Sequence, residues 1–324
     1  MALFLREDEI ARLIRMEDLI DALEDAFREQ GRHQVVNRPR HRVTAGSTVL
    51  NVMSAGIPSL EVMGLKAYSS ARAGARFLAM LYSTGTGELL AVMEADRLGQ
   101  LRTGAASALA TKYLARSNAG VVGIIGTGWQ ARSQLIAVSK VRPVALVHVY
   151  SRDAARRNAF AEEMIRELGA EVATAERAED AVTEADIIIT ATTARTPVLL
   201  GAWLRPGMHI NAIGSNWANK QEIDTEVVRR SARIVVDDLE QAKVEAGDLL
   251  EAIDQGILDW GRVVELGQVV VGAVPGRTSE AEITLFESQG IALEDVATMK
   301  LAYDRARAAG IGETFRPGEV ARER

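Results

Sequence analysis

A short buried strand followed by a glycine-rich turn constrains this chain more than any other feature. Residues 121–125 form an apolar run, VVGII, of the kind that lies inside a parallel sheet. The next six residues read GTGWQA, with the spacing G-x-G-x-x-A, and a helical pattern follows them. Gly126 permits a tight turn, Gly128 lets the backbone approach a pyrophosphate, and the small Ala131 lets the helix pack close to the strand. The helix then presents N–H groups to phosphate oxygens, so we predict a dinucleotide site here.

The chain beyond Ser117 alternates predicted strands and helices, which is typical of a doubly wound parallel sheet. We therefore predict an α/β fold with a Rossmann domain in this part of the chain. After the first strand, the predicted strands lie at residues 144–150, 171–174, 187–190, 209–213, 234–236, 266–271 and 282–286. Residues 211–216 carry the chain from a strand into a loop, at the edge where such sheets bind ligands.

The first hundred residues follow a different pattern. A helical period covers residues 7–30, and strands are predicted at 48–53, 61–68, 75–81 and 89–94. This part is predicted to be α+β, a mainly antiparallel sheet with one leading helix. The helix predicted over 96–115 is rich in small residues, so a backbone, a cofactor or a subunit can approach it closely. A last helix is predicted over 293–309, and residues 315–324 are predicted to fray.

Composition narrows the class of partner. The 324 residues carry a net charge of −6 and a pI near 5.5, which disfavours nucleic acid and anionic membranes. The absence of cysteine excludes thiolate metal sites and a cysteine nucleophile, and the four histidines lack metal-binding spacing, so no metal is predicted. Neither a signal-peptide core nor a run of membrane-spanning length is present, and we predict a cytoplasmic location.

Residues 151–156 bear on the choice between NAD and NADP. An enzyme that prefers NAD usually presents an acidic residue to the ribose 2′-hydroxyl at the end of the second strand, but Ser151 occupies that position here. Arg152 and Arg156 can supply positive charge to a 2′-phosphate, whereas Asp153 fits the amino-terminal cap of the next helix. We therefore predict NADP(H) in preference to NAD(H).

Two charged features of the first hundred residues each allow two interpretations when the residues alone are considered. Residues 37–42, NRPRHR, form a basic cluster that is either a solvated strand edge or part of a site. Lys66 lies in a mostly apolar predicted strand, where burying an ammonium without a partner is costly. Lys66 is therefore either a paired structural lysine or a catalytic one.

Six segments, in order along nearly the whole chain, match one protein family. They are NRPR (37–40), GLK (64–66), LRTGAAS (101–107), GIIGTGWQA (123–131), HINAIG (209–214) and FESQG (286–290). On these segments the chain resembles the ornithine cyclodeaminase/mu-crystallin family, which also includes alanine dehydrogenases and cyclic ketimine reductases. The resemblance implies a substrate and dimerisation domain over 1–116, completed by 292–324, and a dinucleotide-binding domain over 117–291. It also implies a homodimer.

The resemblance assigns roles to three charged residues. Arg40 and Arg102 resemble the family's carboxylate-binding arginines, and a planar guanidinium suits bidentate carboxylate binding. Lys66 resembles the family's active-site lysine, and a partly desolvated lysine beside two arginines should have a depressed pKa, which suits acid–base work. Arg38 and Arg42 lie close enough to Arg40 for the register to shift by two residues.

Two departures from the family pattern bear on the reaction. Cyclodeaminases place an aspartate two residues past the HINAIG strand end, where it handles protons, and this chain has Asn216. A family glutamate that looks like a contact for the side-chain amine of ornithine corresponds to Asn51. An amide cannot take up a proton and cannot form an ion pair with an ammonium, so both changes argue against ornithine cyclisation. We count Asn216 with Lys66, Arg40 and Arg102 as predicted catalytic residues.

The predicted function is an NAD(P)H-dependent oxidoreductase of small 2-amino or 2-imino acids, by imine or ketimine reduction or by reductive amination of a 2-oxo acid. One alternative is an ornithine cyclodeaminase-type enzyme that uses NAD catalytically. The other is a binding protein of mu-crystallin type that holds NADPH and a small ligand without turnover. The predicted cofactor-binding residues are Thr103, Gly126, Thr127, Gly128, Trp129, Gln130, Ala131, Ser151, Arg152, Arg156, Ala191, Thr192, Ile213, Ser288 and Gly290.

Overall fold

The computed structural model describes residues 1–316, which fold as two compact units. Unit 1 contains residues 1–102 and the described residues from Ile291 onward, and unit 2 contains residues 103–290. The division between the units falls inside one helix, and the boundary predicted at 116–117 lies just beyond the end of that helix. The chain therefore leaves unit 1 through a helix and returns to it after residue 290.

Unit 1 is built on a sheet that begins near the amino terminus. Its elements up to the division are β1 (Ala2–Leu5), α1 (Glu7–Leu13), α2 (Met16–Gly31), β2 (Val36–Ala45), β3 (Thr48–Ile57), β4 (Val62–Ala71), β5 (Gly74–Ser83), β6 (Leu89–Glu94) and the first part of α3 (Asp96–Leu114). The single helix predicted over 7–30 is in fact two, because Ile14 and Arg15 have extended backbones. The apolar period continues through both helices, and α2 buries Leu19, Leu23 and Phe27.

Unit 2 alternates strands and helices as predicted. Its further elements are β7 (Val121–Ile125), α4 (Trp129–Ser139), β8 (Leu146–Tyr150), α5 (Ala154–Leu168), β9 (Glu171–Thr174), α6 (Ala178–Val182), β10 (Ile187–Thr190), β11 (His209–Ala212), α7 (Thr225–Arg230), β12 (Arg233–Val236), α8 (Leu239–Glu245), α9 (Gly247–Asp254), β13 (Val263–Glu265), α10 (Leu266–Val270) and β14 (Thr284–Glu287). Within the described chain these strands form one eight-stranded sheet, in the order β13-β12-β14-β11-β10-β7-β8-β9. Every neighbouring pair in it is parallel, which confirms the predicted Rossmann-type sheet.

The order of the strands in unit 2 reverses beside β7. From β7 the sheet grows through β8 and β9 on one side, and β10 then pairs with β7 on the other side. In open parallel sheets, ligands bind at the carboxyl ends of strands where the order reverses. The core lies on both faces of this sheet: Ile188 joins one apolar cluster, and its neighbours Ile187 and Ile189 join another.

One predicted strand of unit 2 is wrong. Residues 266–271 were predicted to be extended, but Leu266–Val270 is the helix α10. Glu265 and Gln268 form a capping box at its start, in which the Glu265 N–H donates to the Gln268 Oε1 at 3.0 Å. A short, mostly apolar segment fits a buried strand and a buried helical turn equally well, and here the capping box begins a helix.

The chain re-enters unit 1 through α11 (Ala292–Ala309), which β15 (Glu313–Phe315) follows. Within residues 1–316 the sheet of unit 1 has seven strands, in the order β15-β1-β6-β5-β4-β3-β2. Neighbouring strands are antiparallel except for β1 and β6. Helix α11 packs so close to β4 that a Cβ at Gly64 would lie 2.9 Å from the Met299 Cε. The tail predicted to fray begins at Phe315, but Phe315 pairs with Ala2 as the last residue of β15, and residues 317–324 lie outside the described residues.

The edge strand β2 carries a bulge at Pro39. Its pairing with β3 shifts register between Arg38 and His41, because proline has no N–H to donate to the neighbouring strand. The residue after this proline, Arg40, is buried, whereas Arg38 is exposed. The bulge therefore separates these two arginines, which the sequence could not distinguish.

None of the described helices has both the length and the apolar character to cross a membrane.

Helix α5 offers a test of the packing of unit 2. Phe160 is fully buried, whereas Ile165 on the same helix is 47% exposed. We expect Phe160→Ala to lower the free energy of unfolding by about 3–5 kcal/mol, because it removes buried surface and leaves a cavity. Ile165→Ala should change it by less than about 0.5 kcal/mol. Urea denaturation followed by circular dichroism measures both, and equal losses would contradict the assigned core.

Candidate active site

The glycine-rich turn joins β7 to α4. Gly126 has φ +114°, and a Cβ placed on it would lie 2.3 Å from the Ala191 carbonyl oxygen. Gly128 caps α4 with φ −82°, and a Cβ placed on it would meet nothing within 4 Å. The first glycine is therefore required by the fold, whereas the second borders open space. A dinucleotide pyrophosphate fits such a space in front of a helix amino end.

A cavity of about 850 Å³ opens at the carboxyl ends of β7, β8 and β10. Eight of the predicted cofactor-binding residues line it: Gly126, Thr127, Gly128, Ser151, Arg152, Arg156, Ala191 and Thr192. Lining residues that the sequence analysis missed are Ile125, Tyr150, Asp153, Thr193, Ala194, Arg195, Thr196 and Val198. Most of these follow β10, and the rule that ligands sit at strand ends could have found them.

The remaining predicted cofactor-binding residues lie outside the lining of this cavity. Ala131 and Ile213 are buried in the core, and Trp129 and Gln130 begin α4. Thr103 lies in α3, and its carbonyl oxygen accepts a hydrogen bond from Gln134 Nε2 at 3.1 Å.

Ser288 and Gly290, also predicted to bind the cofactor, follow β14 and share a partner. The Ser288 hydroxyl donates to the Asp237 Oδ2 at 2.8 Å, and the Gly290 N–H donates to the same oxygen at 2.6 Å. This buried carboxylate therefore fixes the segment after β14. The adjoining Asp238 caps α8 by accepting from the Gln241 N–H at 2.8 Å.

Three arginines lie in the lining of the cavity. Arg152, Arg156 and Arg195 all line it. Asp153 supplies the opposing charge, but its Oδ1 accepts the Arg156 backbone N–H at 3.1 Å, which confirms it as the cap of α5. Among the charged side chains that line the cavity, the arginines therefore outnumber the one aspartate.

A buried carboxylate ties together the loops behind the cavity. Glu222 accepts hydrogen bonds from the Thr192 N–H at 2.6 Å, the Gly214 N–H at 2.7 Å and the Thr190 hydroxyl at 2.8 Å. These donors lie at or just past the carboxyl ends of β10 and β11, so one side chain joins two strand ends. Burial raises the pKa of Glu222 despite these donors. Burial and the neighbouring Glu222 also raise the pKa of Asp248, to about 7.

Unit 1 holds a separate cluster of buried charges. Lys66 on β4 is 3% exposed, and Arg40 and Arg102 are each 7% exposed. The Lys66 Nζ lies 2.7 Å from the Asp295 Oδ1, and the Arg102 Nε lies 3.0 Å from the same oxygen. The Arg102 Nη1 lies 2.7 Å from the Glu294 Oε2. Three predicted catalytic residues are thus in unit 1, together with two carboxylates that the sequence analysis missed.

The surroundings of Lys66 lower its pKa to about 8. Burial is the largest cause, followed by the charge of Arg102, while Asp295 opposes both and Arg40 lowers the pKa further. A lysine with a pKa near 8 can exchange a proton near neutral pH, which an ordinary lysine with a pKa near 10.4 does poorly.

Two asparagines were predicted to mark a departure from the cyclodeaminases. Asn51 is buried in β3, accepts a hydrogen bond from the Arg42 Nε at 3.1 Å and donates to the Tyr68 carbonyl at 3.4 Å. Asn216, the fourth predicted catalytic residue, is partly exposed in the loop that follows β11 of unit 2.

His209 has a structural environment. Its Nδ1 lies 3.0 Å from the Thr284 hydroxyl and its Nε2 lies 3.2 Å from the Asn211 Oδ1, both in the buried sheet. Burial, reinforced by the charge of Arg277, lowers the pKa of His209 to about 3. The ring is therefore neutral at physiological pH and joins β11 to β14.

These features define an α/β protein in which one unit has a Rossmann-type sheet with an open glycine turn. The family model for the ornithine cyclodeaminase/mu-crystallin family matches residues 2–310. Alanine dehydrogenase of Archaeoglobus fulgidus is 36% identical over 323 residues, which is 97% of this chain and 98% of that protein.

Two solved structures resemble the chain over nearly its whole length. Delta(1)-pyrroline-2-carboxylate reductase of Thermococcus litoralis, in complex with NADH and L-proline, is 37% identical, with a TM-score of 0.93 over 97% of this chain and 100% of that one. An archaeal alanine dehydrogenase dimer with bound NAD is 35% identical, with a TM-score of 0.92 over 97% and 99%. The chain belongs to the ornithine cyclodeaminase/mu-crystallin family, which confirms the resemblance found in its six segments.

The two glycines of the turn make a matched test. Gly128→Ala should leave the fold intact, since its backbone suits any residue, but weaken nicotinamide cofactor binding at least about tenfold by blocking the pyrophosphate. Gly126→Ala should instead lower the melting temperature, because its φ and the nearby Ala191 carbonyl exclude a Cβ. Fluorescence titration and thermal denaturation measure these effects. Unchanged cofactor affinity in Gly128→Ala would place the pyrophosphate elsewhere.

Proposed function

We propose that this chain reduces small 2-imino acids with a nicotinamide cofactor, taking either preformed imines or imines made from a 2-oxo acid and an amine. The observation that carries the proposal is the buried group of Lys66, Arg40 and Arg102 in unit 1. It supplies guanidinium groups for one carboxylate and an amine able to move a proton. The relatives confirm the class predicted from the sequence, an NAD(P)H-dependent oxidoreductase of small amino or imino acids.

Reduction of an imine adds a hydride to its carbon and a proton to its nitrogen. The bound nicotinamide supplies the hydride. Arg40 and Arg102 hold the substrate carboxylate, since a guanidinium binds a carboxylate with paired hydrogen bonds. Lys66 gives the proton from its Nζ to the imine nitrogen, and its pKa of about 8 leaves a large protonated fraction near neutral pH.

The rival reaction is cyclisation of a diamino acid, with no net consumption of cofactor. Asn216 and Asn51 stand where the resemblance to the cyclodeaminases places a carboxylate that takes up a proton and a carboxylate that forms an ion pair with a side-chain amine. An amide does neither. The reductase therefore accounts for these residues better than the cyclodeaminase.

We further propose that the cofactor is NADP(H) in preference to NAD(H). Ser151 presents no negative charge to a 2′-phosphate, and Arg152, Arg156 and Arg195 line the same cavity. Arginine binds phosphate through charge-assisted hydrogen bonds, which NAD(H) cannot form at its 2′-hydroxyl. The two solved relatives contain NADH and NAD, so this preference would distinguish the chain from them.

A substitution of Arg195 tests the cofactor preference most directly, because Arg195 lies outside the glycine motif that is predicted to bind the pyrophosphate. Arg195→Ala should raise the Kd for NADPH about tenfold and leave the Kd for NADH within about twofold, because only NADPH carries the 2′-phosphate. The control is Arg166→Ala, an exposed residue of α5 outside the cavity lining. Equal weakening of both cofactors would assign Arg195 to the adenine ring instead.

The sheet of unit 1 has features of a dimer interface. Val43, Leu50, Met63 and Leu78 lie on four adjacent strands, and each is more than 40% exposed. Exposed apolar groups in this number on one sheet are typical of an association surface. We propose that the chain forms a homodimer through this sheet, in keeping with the predicted substrate and dimerisation domain. The predicted cytoplasmic location stays a prediction.

The experiment that tests the function follows nicotinamide absorbance with the purified chain. NADPH or NADH is offered with a cyclic 2-imino acid, with pyruvate and ammonia, and with pyruvate and methylamine. We expect cofactor oxidation with at least one imine, and loss of that activity in Lys66→Ala with cofactor affinity unchanged. Proline formed from ornithine with catalytic NAD, without net change in absorbance, would establish the cyclodeaminase instead.

A further inference from the structure

Two cations of unit 1 meet at a single carboxylate oxygen. The Asp295 Oδ1 accepts from the Lys66 Nζ at 2.7 Å and from the Arg102 Nε at 3.0 Å. Asp295 is fully buried, and the two cations are almost so. The contact joins β4, α3 and α11, which are far apart in sequence.

Without this carboxylate, a protonated Lys66 would face Arg102 across a site that water barely reaches. Like charges repel more strongly where the effective dielectric constant is low, and lysine relieves the repulsion by releasing its proton. An arginine has no such escape, because it stays protonated in proteins. Lys66 is therefore the member of the cluster whose charge depends on the carboxylate.

We propose that Asp295 is a positioning residue for imine reduction: it holds the Lys66 ammonium beside the Arg102 guanidinium and keeps that amine charged as the proton donor. This role rests on the proposed function, and no step of the reaction passes through Asp295 itself. The substrate carboxylate would bind to Arg40 and Arg102, and the proton would come from Lys66, which Asp295 holds at a fixed position beside Arg102.

The electrostatics of Lys66 agree with this role. Burial, Arg102 and Arg40 lower its pKa, and the charge and hydrogen bond of Asp295 raise it, which leaves it at about 8. Removing Asp295 takes away the opposing contribution, so the pKa of Lys66 should fall. A lower pKa means that Lys66 loses its proton at a lower pH, and reduction then fails earlier as pH rises.

The position of Asp295 in its helix explains how a buried carboxylate is tolerated. Glu294 and Asp295 lie in the first turn of α11, where the helix dipole and the free N–H groups favour negative charge. Asp295 forms ion pairs with Lys66 and Arg102, and Glu294 forms an ion pair with Arg102.

Glu294 therefore supplies a matched control for Asp295. We compare the dependence of kcat on pH in the parent chain, Asp295→Asn and Glu294→Gln, with saturating NADPH and the imine accepted by the parent. The parent should lose activity as pH rises through about 8, the pKa of Lys66. In Asp295→Asn this alkaline limb of the pH profile, where kcat falls, should move to lower pH by at least about one unit. Glu294→Gln should leave the limb in place and raise the KM for the imine, because its partner Arg102 binds substrate.

A second measurement reads Lys66 without turnover. The chain contains six lysines, so lysine labelled with ¹³C at Cε gives few signals, and the signal of Lys66 is the one missing from Lys66→Arg. The titration midpoint of Lys66 should fall in Asp295→Asn. In Asp295→Glu, which restores the negative charge, the midpoint should return most of the way to that of the parent chain. The glutamate variant also provides a test of the pairing if Asp295→Asn folds poorly.

The two measurements separate the two proposals. A shifted Lys66 midpoint in a chain that reduces no imine would support the pairing and overturn the proposed function. An unshifted midpoint, or a kcat that falls equally at every pH, would show that Asp295 has a structural role and would overturn the inference.

Discussion

The bond between the Lys66 ammonium and the Asp295 carboxylate is the interaction on which the candidate site of unit 1 depends. A lysine within a sheet must replace its lost water with an opposite charge, and this partner comes from a helix near the far end of the chain. The carboxylate is held in place by the packing of α11 against β4, which Gly64 makes possible. The chemistry of Lys66 therefore cannot be separated from the packing of unit 1.

Unit 2 uses a buried carboxylate differently. Glu222 pairs with backbone N–H groups and a hydroxyl, so it fixes the loop ends that follow β10 and β11. Thr192, one of its donors, also lines the cavity beside the glycine turn. In unit 1 the Asp295 carboxylate raises the pKa of Lys66, whereas in unit 2 the Glu222 carboxylate holds the backbone at two strand ends. Both side chains are fully buried, and neither belongs to the glycine motif.

The sequence was most informative where the physics is local. The strands Val121–Ile125, Glu171–Thr174 and Ile187–Thr190 have the predicted bounds, because the alternation of short strands and helices along this part of the chain limits where each strand can lie. The prediction was wrong for α10, because a capping box begins a helix in a segment whose apolar residues had predicted a strand. Asp295 and Glu222 were not predicted, because each acts through residues 229 or about 30 positions away. Only the fold brings such partners together.

The discontinuity of unit 1 has a consequence for synthesis on the ribosome. All of residues 103–290 are translated before α11, so strands β1 to β6 of unit 1 are made first, and α11 and β15 follow only when unit 2 is complete. Domains begin to fold during translation, at about 5–20 residues per second. For roughly 10–50 seconds at that pace, the nascent chain therefore carries Lys66 without its partner, 229 residues downstream. During that interval β4 lacks its covering helix, and a chaperone would find its apolar surface there.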